Sequence, residues 1–386
     1  MEEVRPAGPR SSRSMPAEQK KPDWAPPGAG PEFATRVVAG VPEPAVSHSR
    51  TAKPRTADVP ALAEKIRAGD RVALARGITL IESRAHAHRP AAEQLLNALM
   101  PFSGKAWRVG ITGAPGAGKS TFIEALGTAL CGAGRRVAVL SIDPSSPVSH
   151  GSILGDKTRM ESLSRNPAAF IRPSPSRGEI GGVARKTRES ITLCEAAGFN
   201  TVLVETVGVG QSEVLVREMV DCFLLLMIAG AGDELQGIKK GIIEMADLVA
   251  VNKADGDNRL RTEATRLEFE RALHYISASD EAWHPPVLAC SSLSSEGVRD
   301  VWTQVERFMA HGERTGQFLE RRRSQSLAWF WTLLEQGIRD AVFSDRQVLA
   351  LKRSLELDVA AGNISAPYAA RKLLESAGLA AAAGKA

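Results

Sequence analysis

A chain of 386 residues, 43% of them hydrophobic, can bury a substantial core and is long for one domain, which predicts a main domain with appendages. The net charge of +5 sits mostly in residues 1–55, where nine Lys and Arg face six Asp and Glu; the rest is near neutral, so the basic stripe of a DNA- or RNA-binding protein is not indicated. No apolar run approaches the roughly 18 residues of a membrane span, and Cys222 to Ala231 is one buried strand long.

Residues 1–55 hold ten of the 22 prolines, few aliphatics and no apolar periodicity, so a disordered Pro-rich tail is expected over 1–58. Arg5, Arg10 and Arg13 among serines suit a transit peptide, whereas Glu2, Glu3 and Glu18 break its acid-poor character. From Val59 the pattern turns helical: Leu62 and Ile66, then Leu74, Ile78 and Ile81, then Leu95 and Leu99. Asp70 is placed to cap the second helix and Pro90 to start the third. A lead-in over 59–105 is too short for its own core and must pack on the main domain.

Strand and helix alternate over 106–313, with strands expected at 107–112, 136–142, 168–172, 201–207, 222–228, 247–252 and 286–291. These are short continuous apolar runs, as a parallel sheet covered on both faces demands. Helices are expected at Lys119–Cys131, Val183–Ala197, Arg259–Tyr275 and Val298–Ala310. The fold class is therefore α/β, doubly wound around a mostly parallel sheet, with ligands at the carboxyl ends of the strands.

The first strand runs into Gly113, Ala114, Pro115, Gly116, Ala117, Gly118, Lys119, Ser120 and Thr121, the spacing of a phosphate-binding loop. Such a loop turns its backbone amides onto phosphate, sends the lysine to the β and γ oxygens and offers the hydroxyl to Mg²⁺. Strand two delivers Asp143 and strand four delivers Glu205, where a carboxylate reaches Mg²⁺ directly or through water; either alone also reads as a capping or loop acid. Strand six ends in Asn252, Lys253, Ala254 and Asp255, the N-K-x-D guanine signature, because one carboxylate can accept from both N1–H and the exocyclic amine of guanine. Strand seven ends in Ser291, Ser292 and Leu293, where backbone amides are expected to meet the guanine oxygen. Four ordered motifs at strand ends identify a guanine-nucleotide protein that takes GTP/GDP and Mg²⁺.

Longer strings carry a family resemblance: DPSSPVSHGSILGDKTRM at 143–160, FIRPSPSRGEIGGVARKTRE at 170–189, LVETVGVGQSE at 203–213, AGAGDELQGIKKGIIEMADL at 229–248 and VNKADGDN at 251–258. Over about 59–375 the chain resembles the MeaB/ArgK GTPases. The resemblance implies a GTPase chaperone of an adenosylcobalamin-dependent acyl-CoA mutase, usually methylmalonyl-CoA mutase, that gates cofactor loading and protects or reactivates the mutase. A cobalamin adenosyltransferase is a second expected partner, and a homodimer the expected assembly. It also implies a magnesium set of Ser120, Asp143, Asp156 and Glu205, and loops 144–156, 206–213 and 229–241 that change with nucleotide state. The expected location is cytoplasmic, or the mitochondrial matrix in a eukaryote.

Two positions depart from the family pattern: His150-Gly151 replaces a Gly-Gly pair and Ser291-Ser292 replaces Ser-Ala. His150 reads as a solvated loop residue with no partner set for a metal, and the second change is expected to matter little because backbone donates there. Gly208 is followed by Val209 and Gly210, with Gln211 two places late for a water-orienting glutamine. Hydrolysis by the isolated chain is thus expected to be slow and partner-stimulated, with Lys119 and Glu205 catalytic and with Lys239, Lys240, Arg177 and Arg185 as candidate charges.

From Arg314 the alternation stops, and Phe318, Leu327, Trp329, Phe330, Trp331, Leu333, Leu334 and Ile338 fall on long helical stretches. Such a stripe over 314–386 is either core or an arm that pairs two subunits; the resemblance favours the arm. Pro367 opens a last helix with Leu373 and Leu374, and the tail beyond Leu379 is expected to fray. Cys131, Cys194, Cys222 and Cys290 are far apart among apolar residues and read as reduced core cysteines. A metal-delivery GTPase would need a thiol or imidazole set near the switch loops, and a kinase linked to amino-acid transport would need an acceptor site with a base; the sequence points to neither.

Overall fold

The computed structural model describes residues 58–143, 160–175, 180–206, 212–229, 240–276 and 283–379. The Pro-rich segment ahead of Asp58, His150, Asp156, Arg177, Gln211, Lys239 and the tail beyond Leu379 lie outside the described residues.

Seven strands form one parallel sheet: β1 (Trp107–Thr112), β2 (Val137–Asp143), β3 (Ala169–Pro175), β4 (Thr201–Glu205), β5 (Cys222–Ile228), β6 (Leu248–Asn252) and β7 (Val287–Ala289). Their order is β3-β2-β4-β1-β5-β6-β7, so the strand that feeds the phosphate loop lies between β4 and β5. All seven expected strands are present, with β3 longer and β4 and β7 shorter than the apolar runs suggested. Every residue of β4 and β6 is buried, because helices cover both faces and no position of a central parallel strand meets water.

The period of two sends alternate residues to opposite sides. Val202, Val204 and Phe223 join one core with the N-terminal helices, while Leu203, Leu224 and Val109 join another beneath α4 (Lys119–Gly132) and α10 (Val298–Thr315). The lead-in consists of α1 (Val59–Arg67), α2 (Arg71–Glu82) and α3 (Arg89–Leu99), followed after α4 by α5 (Glu161–Arg165) and α6 (Ile180–Ala196). Ile66, Leu74, Ile78, Ile81, Leu95 and Leu99 are buried with Ile191, Leu193 and Cys194 of α6, as the periodicity required. Asp70 caps α2 by accepting from the amides of Val72 and Ala73 at 2.8 and 3.1 Å, and those bonds hold its carboxyl below the usual carboxylate range. Asp58 caps α1 in the same way, so the ordered lead-in starts one residue inside the segment expected to be tail.

The lead-in also reaches the carboxyl edge of the sheet. Glu82, at the end of α2, pairs with Arg172 and accepts from Ser174 Oγ at 2.7 Å, and Lys186 donates to its backbone carbonyl. Both Arg172 and Ser174 lie on β3, the strand that precedes α6 in the chain.

After α7 (Ser212–Arg217), α8 (Lys240–Met245) and α9 (Arg259–Ile276), the chain leaves the sheet through α10 into α11 (Gln317–Ser344), α12 (Arg346–Ala360) and α13 (Ala366–Ser376). The start of α11 is pinned by charge. Arg322 Nε donates to Asp221 Oδ1 at 2.7 Å and its Nη2 to the Ala106 carbonyl at 2.7 Å; Arg321 pairs with Asp247, which also pairs with Arg217. These aspartates are buried at the amino ends of β5 and β6, where an unpaired carboxylate would be costly. Phe318 packs edge-on against Phe308 and joins the core. Further along α11 no residue is buried, and Leu327, Phe330, Trp331, Leu334 and Ile338 are 40–62% exposed. Among the described residues the aromatic stripe is therefore not core beyond its first turn.

Candidate functional site

The strand ends meet at the carboxyl edge of the sheet around the loop from Gly113 to Gly118. Gly113 has φ +149°, and a Cβ there would stand 2.1 Å from the Leu226 carbonyl oxygen, so only glycine lets β1 turn this close to β5. Gly118 has φ +87°, and a Cβ there would stand 2.7 Å from Asn252 Nδ2, so the loop's last glycine permits contact with the strand that carries the guanine signature. Lys119 opens α4 and is buried; its Nζ donates to the carbonyls of Gly113 and Ala114 at 2.7 and 3.0 Å. Burial pushes this ammonium below the usual lysine range, opposed by the carboxylates of Glu205 and Glu213. Pro115, Gly116 and Thr121 are exposed, and Ala117 is buried.

Ser120 Oγ donates to Glu205 Oε1 at 2.7 Å, which brings together two of the four residues assigned to magnesium. Glu205 Oε2 accepts from Ser141 Oγ at 3.1 Å, and Glu205 is only 7% exposed. The parallel register places Ser141 of β2 level with Glu205 of β4, so this contact follows from strand order. Ser141 was not foreseen; its signal is a hydroxyl near the end of an otherwise apolar strand. Nor were Thr206 and Thr112, whose hydroxyls bond at 2.8 Å where β4 ends beside β1. Hard oxygen donors at this spacing suit Mg²⁺. Asp143 ends β2 by its backbone, and Lys240 begins α8 by its backbone. Arg185, a candidate charge for the stimulated reaction, pairs with Glu189 of its own helix at 3.2 Å. Among the described residues no group of three His, Cys, Asp or Glu side chains is placed to hold a metal ion.

The expected guanine end lies at β6 and β7. Asn252 is buried; its Nδ2 donates to the Ala117 carbonyl at 2.8 Å, which ties β6 to the loop ahead of α4. Lys253 has φ +65°, a left-handed backbone rare outside glycine, and the Asn258 side chain holds its carbonyl at 2.9 Å. Ser291 Oγ donates to Asp255 Oδ2 at 2.5 Å, fixing the carboxylate expected to read guanine. The serine pair is more than a stretch of backbone: the Ser291 amide donates to the Glu296 carbonyl at 2.8 Å, and the Ser292 amide and hydroxyl both donate to Asn252 Oδ1 at 3.0 and 2.8 Å. The Ser-Ser variation thus adds a hydroxyl contact to Asn252 that a backbone-only reading does not include. Leu293 is exposed. Cys290, just ahead, is a free thiol pushed up to about 12 by burial.

Comparison with known proteins agrees with this geometry. Residues 74–347 match the family model described as methylmalonyl Co-A mutase-associated GTPase MeaB. A Caulobacter vibrioides protein described as a GTPase is 52% identical over 322 residues, covering 83% of this chain and 98% of the relative. The mitochondrial methylmalonic aciduria type A homolog of Mus musculus is 42% identical over 318 residues, covering 80% and 77%. A crystal structure titled LAO/AO transport system kinase superposes with a TM-score of 0.67 at 39% identity, covering 82% of this chain and 97% of that one. No helix among the described residues is long and apolar enough to cross a membrane. With a phosphate loop, a guanine signature and the Ser120–Glu205 pair at one edge of a parallel sheet, the chain belongs to the MeaB family of GTPases: it binds guanine nucleotide and hydrolyses GTP.

Proposed function

We propose that the chain is the GTP-driven chaperone of an adenosylcobalamin-dependent acyl-CoA mutase, methylmalonyl-CoA mutase first, gating cofactor loading and protecting or reactivating the mutase. The observation that carries this reading is the family match across residues 74–347, whose description names that mutase. In this reading residues 106–313 are the nucleotide unit, 59–105 its lead-in and 314–386 a dimerisation arm, with α11 offering its apolar stripe to a second copy. A cobalamin adenosyltransferase is the natural second partner, and the protein works in the cytoplasm or the mitochondrial matrix.

Ser120 and Glu205, with Asp143 and Asp156, would hold Mg²⁺, which supplies charge neutralisation at the phosphates. Gly113 to Thr121 cradle the phosphates, Lys119 orients the terminal one, and Asn252, Lys253, Asp255 and Ser291 to Leu293 take the base. In this reading a partner that engages segments 206–213 and 229–241 brings Lys239 or Lys240 to the reacting phosphate.

The test is single-turnover GTP hydrolysis with and without the cognate mutase, found by pull-down from the source cell. The mutase should accelerate a slow basal rate, and Lys239→Ala or Lys240→Ala should blunt that acceleration more than it weakens GTP binding. A fast basal rate that no mutase changes would refute the proposal. Phosphate appearing on a small-molecule acceptor instead of in solution would favour the kinase role named in the structural neighbour's title.

A further inference from the structure

The row of side chains that β2 turns toward α4 changes character near its carboxyl end. Val137 and Val139 of β2, like Leu203 of β4, are buried in the core beneath α4, and the period of two puts Ser141 and Glu205 next in those rows. The apolar pattern calls for another aliphatic side chain at 141. Instead β2 carries a hydroxyl, 3% exposed, that donates to Glu205 Oε2 at 3.1 Å. An aliphatic residue there would face the carboxylate with nothing to donate, and a buried acceptor that loses a donor is costly.

The two serines hold Glu205 in different ways. Ser120 is the second residue of α4, next to the loop at 113–118, and its hydroxyl, 2.7 Å from Glu205 Oε1, is the one offered to a cation. Ser141 stands inside a strand that is paired on both sides, with β3 and with β4. A glutamate side chain turns about several torsions, so a carboxylate tied to Ser120 alone would follow that hydroxyl wherever it goes. We propose that Ser141 is a positioning residue for the metal: its hydroxyl anchors Glu205 Oε2 to β2, so that Oε1 stays turned toward Ser120 when Mg²⁺ arrives. This role rests on the reading of Ser120 and Glu205 as magnesium residues. Partners that orient a metal-binding side chain from behind are worth about ten- to a hundredfold in metal affinity.

The experiment uses the full chain loaded with a fluorescent, non-hydrolysable GTP analogue and follows its release rate across a Mg²⁺ titration, beside a melting curve without Mg²⁺. In the wild type Mg²⁺ should slow release with a defined midpoint, and Glu205→Gln should raise that midpoint. No midpoint in the wild type, or one that Glu205→Gln leaves unmoved, would refute the metal reading and the anchor with it. Given that response, Ser141→Ala should raise the midpoint about tenfold, while release at saturating Mg²⁺ stays within about threefold of the wild type. Ser141→Thr, which keeps the hydroxyl, should restore the wild-type midpoint. In the double variant, Ser141→Ala should add almost nothing to Glu205→Gln, because the hydroxyl acts through that carboxylate. An unchanged midpoint in Ser141→Ala with only the melting temperature lowered, or effects that add in the double variant, would overturn the anchor while leaving Glu205 as a metal residue. If either Ser141 variant does not fold, Ser141→Cys, nearly isosteric and a poor donor, should show the shift expected of the alanine, and a wild-type midpoint in it would likewise overturn the anchor.

Discussion

Glu205 separates the metal chemistry of the site from its architecture. Its two oxygens accept from Ser120 at 2.7 Å and Ser141 at 3.1 Å, so Glu205→Ala deprives both hydroxyls of their acceptor. Ser120 is half-buried and can turn to water, whereas Ser141 is 3% exposed and cannot. Orphaning one buried hydroxyl costs about 2 kcal/mol. Unfolding entropy near 2 cal/mol/K per residue, over roughly 300 residues, converts that into a fall of about 3 °C in Tm. Glu205→Gln keeps one acceptor oxygen, and the second serine can accept from the new amide, so its Tm should move by less than about 1 °C. Both variants should lose about a hundredfold or more in Mg²⁺-dependent turnover, since the carboxylate is the charge that would fix the metal. GDP affinity should change far less, because the loop from Gly113 to Lys119 is untouched. The assay is single-turnover hydrolysis across a Mg²⁺ titration, beside a GDP titration and a melting curve. If GDP affinity collapsed with turnover, or if Glu205→Gln hydrolysed GTP at the wild-type rate, the reasoning would fail.

Asp255→Asn should weaken GTP and admit xanthosine triphosphate, whose 2-oxo group can accept from the new amide; unchanged GTP affinity in a direct titration would sink the base assignment. Trp331 is 57% exposed on α11; covering such a ring removes about 100 Å² of apolar surface, worth about 2 to 3 kcal/mol per copy. Trp331→Asp should therefore shift sedimentation of a dimer toward monomer, and a wild type that is monomeric at every concentration would remove the basis for the arm. Burial lowers the Lys119 pKa, so the proton needed to meet a phosphate is lost earlier on the alkaline side than from an ordinary lysine. GTP affinity should fall as pH rises through that lowered value, and a flat profile up to the ordinary lysine range would show that Lys119 stays charged.

Much of the site is local chemistry, which is why it was legible. The phosphate loop is one turn between a strand and a helix, and Gly113 and Gly118 announce backbone angles that residues with a Cβ avoid. Asn252 to Asp255 form a contiguous string, and buried parallel strands such as β4 and β6 betray themselves by unbroken apolar runs. The cap at Asp70 and the first-turn proline at Pro90 are also contained within a few residues. Contacts across the sheet were not legible in this way. Ser141 meets Glu205 only because β2 lies beside β4 in a register that aligns them, and nothing in either segment encodes its neighbour. The same holds for Asp221 and Asp247, whose arginine partners Arg322, Arg321 and Arg217 come from distant helices.

The amino-acid sequence alone determined that this protein has a guanine-nucleotide loop on a doubly wound parallel sheet, because those features are local patterns of glycine, charge and apolar period. Tertiary structure decided two things that the same letters leave open. It placed the Ser292 hydroxyl on Asn252, a contact that backbone logic does not include. It also left Leu327, Phe330 and Trp331 exposed among the described residues, on a helix that Arg321 and Arg322 hold at its start. An apolar stripe reads the same in sequence whether its partner is this chain or another; only the arrangement of the helices tells which face remains open.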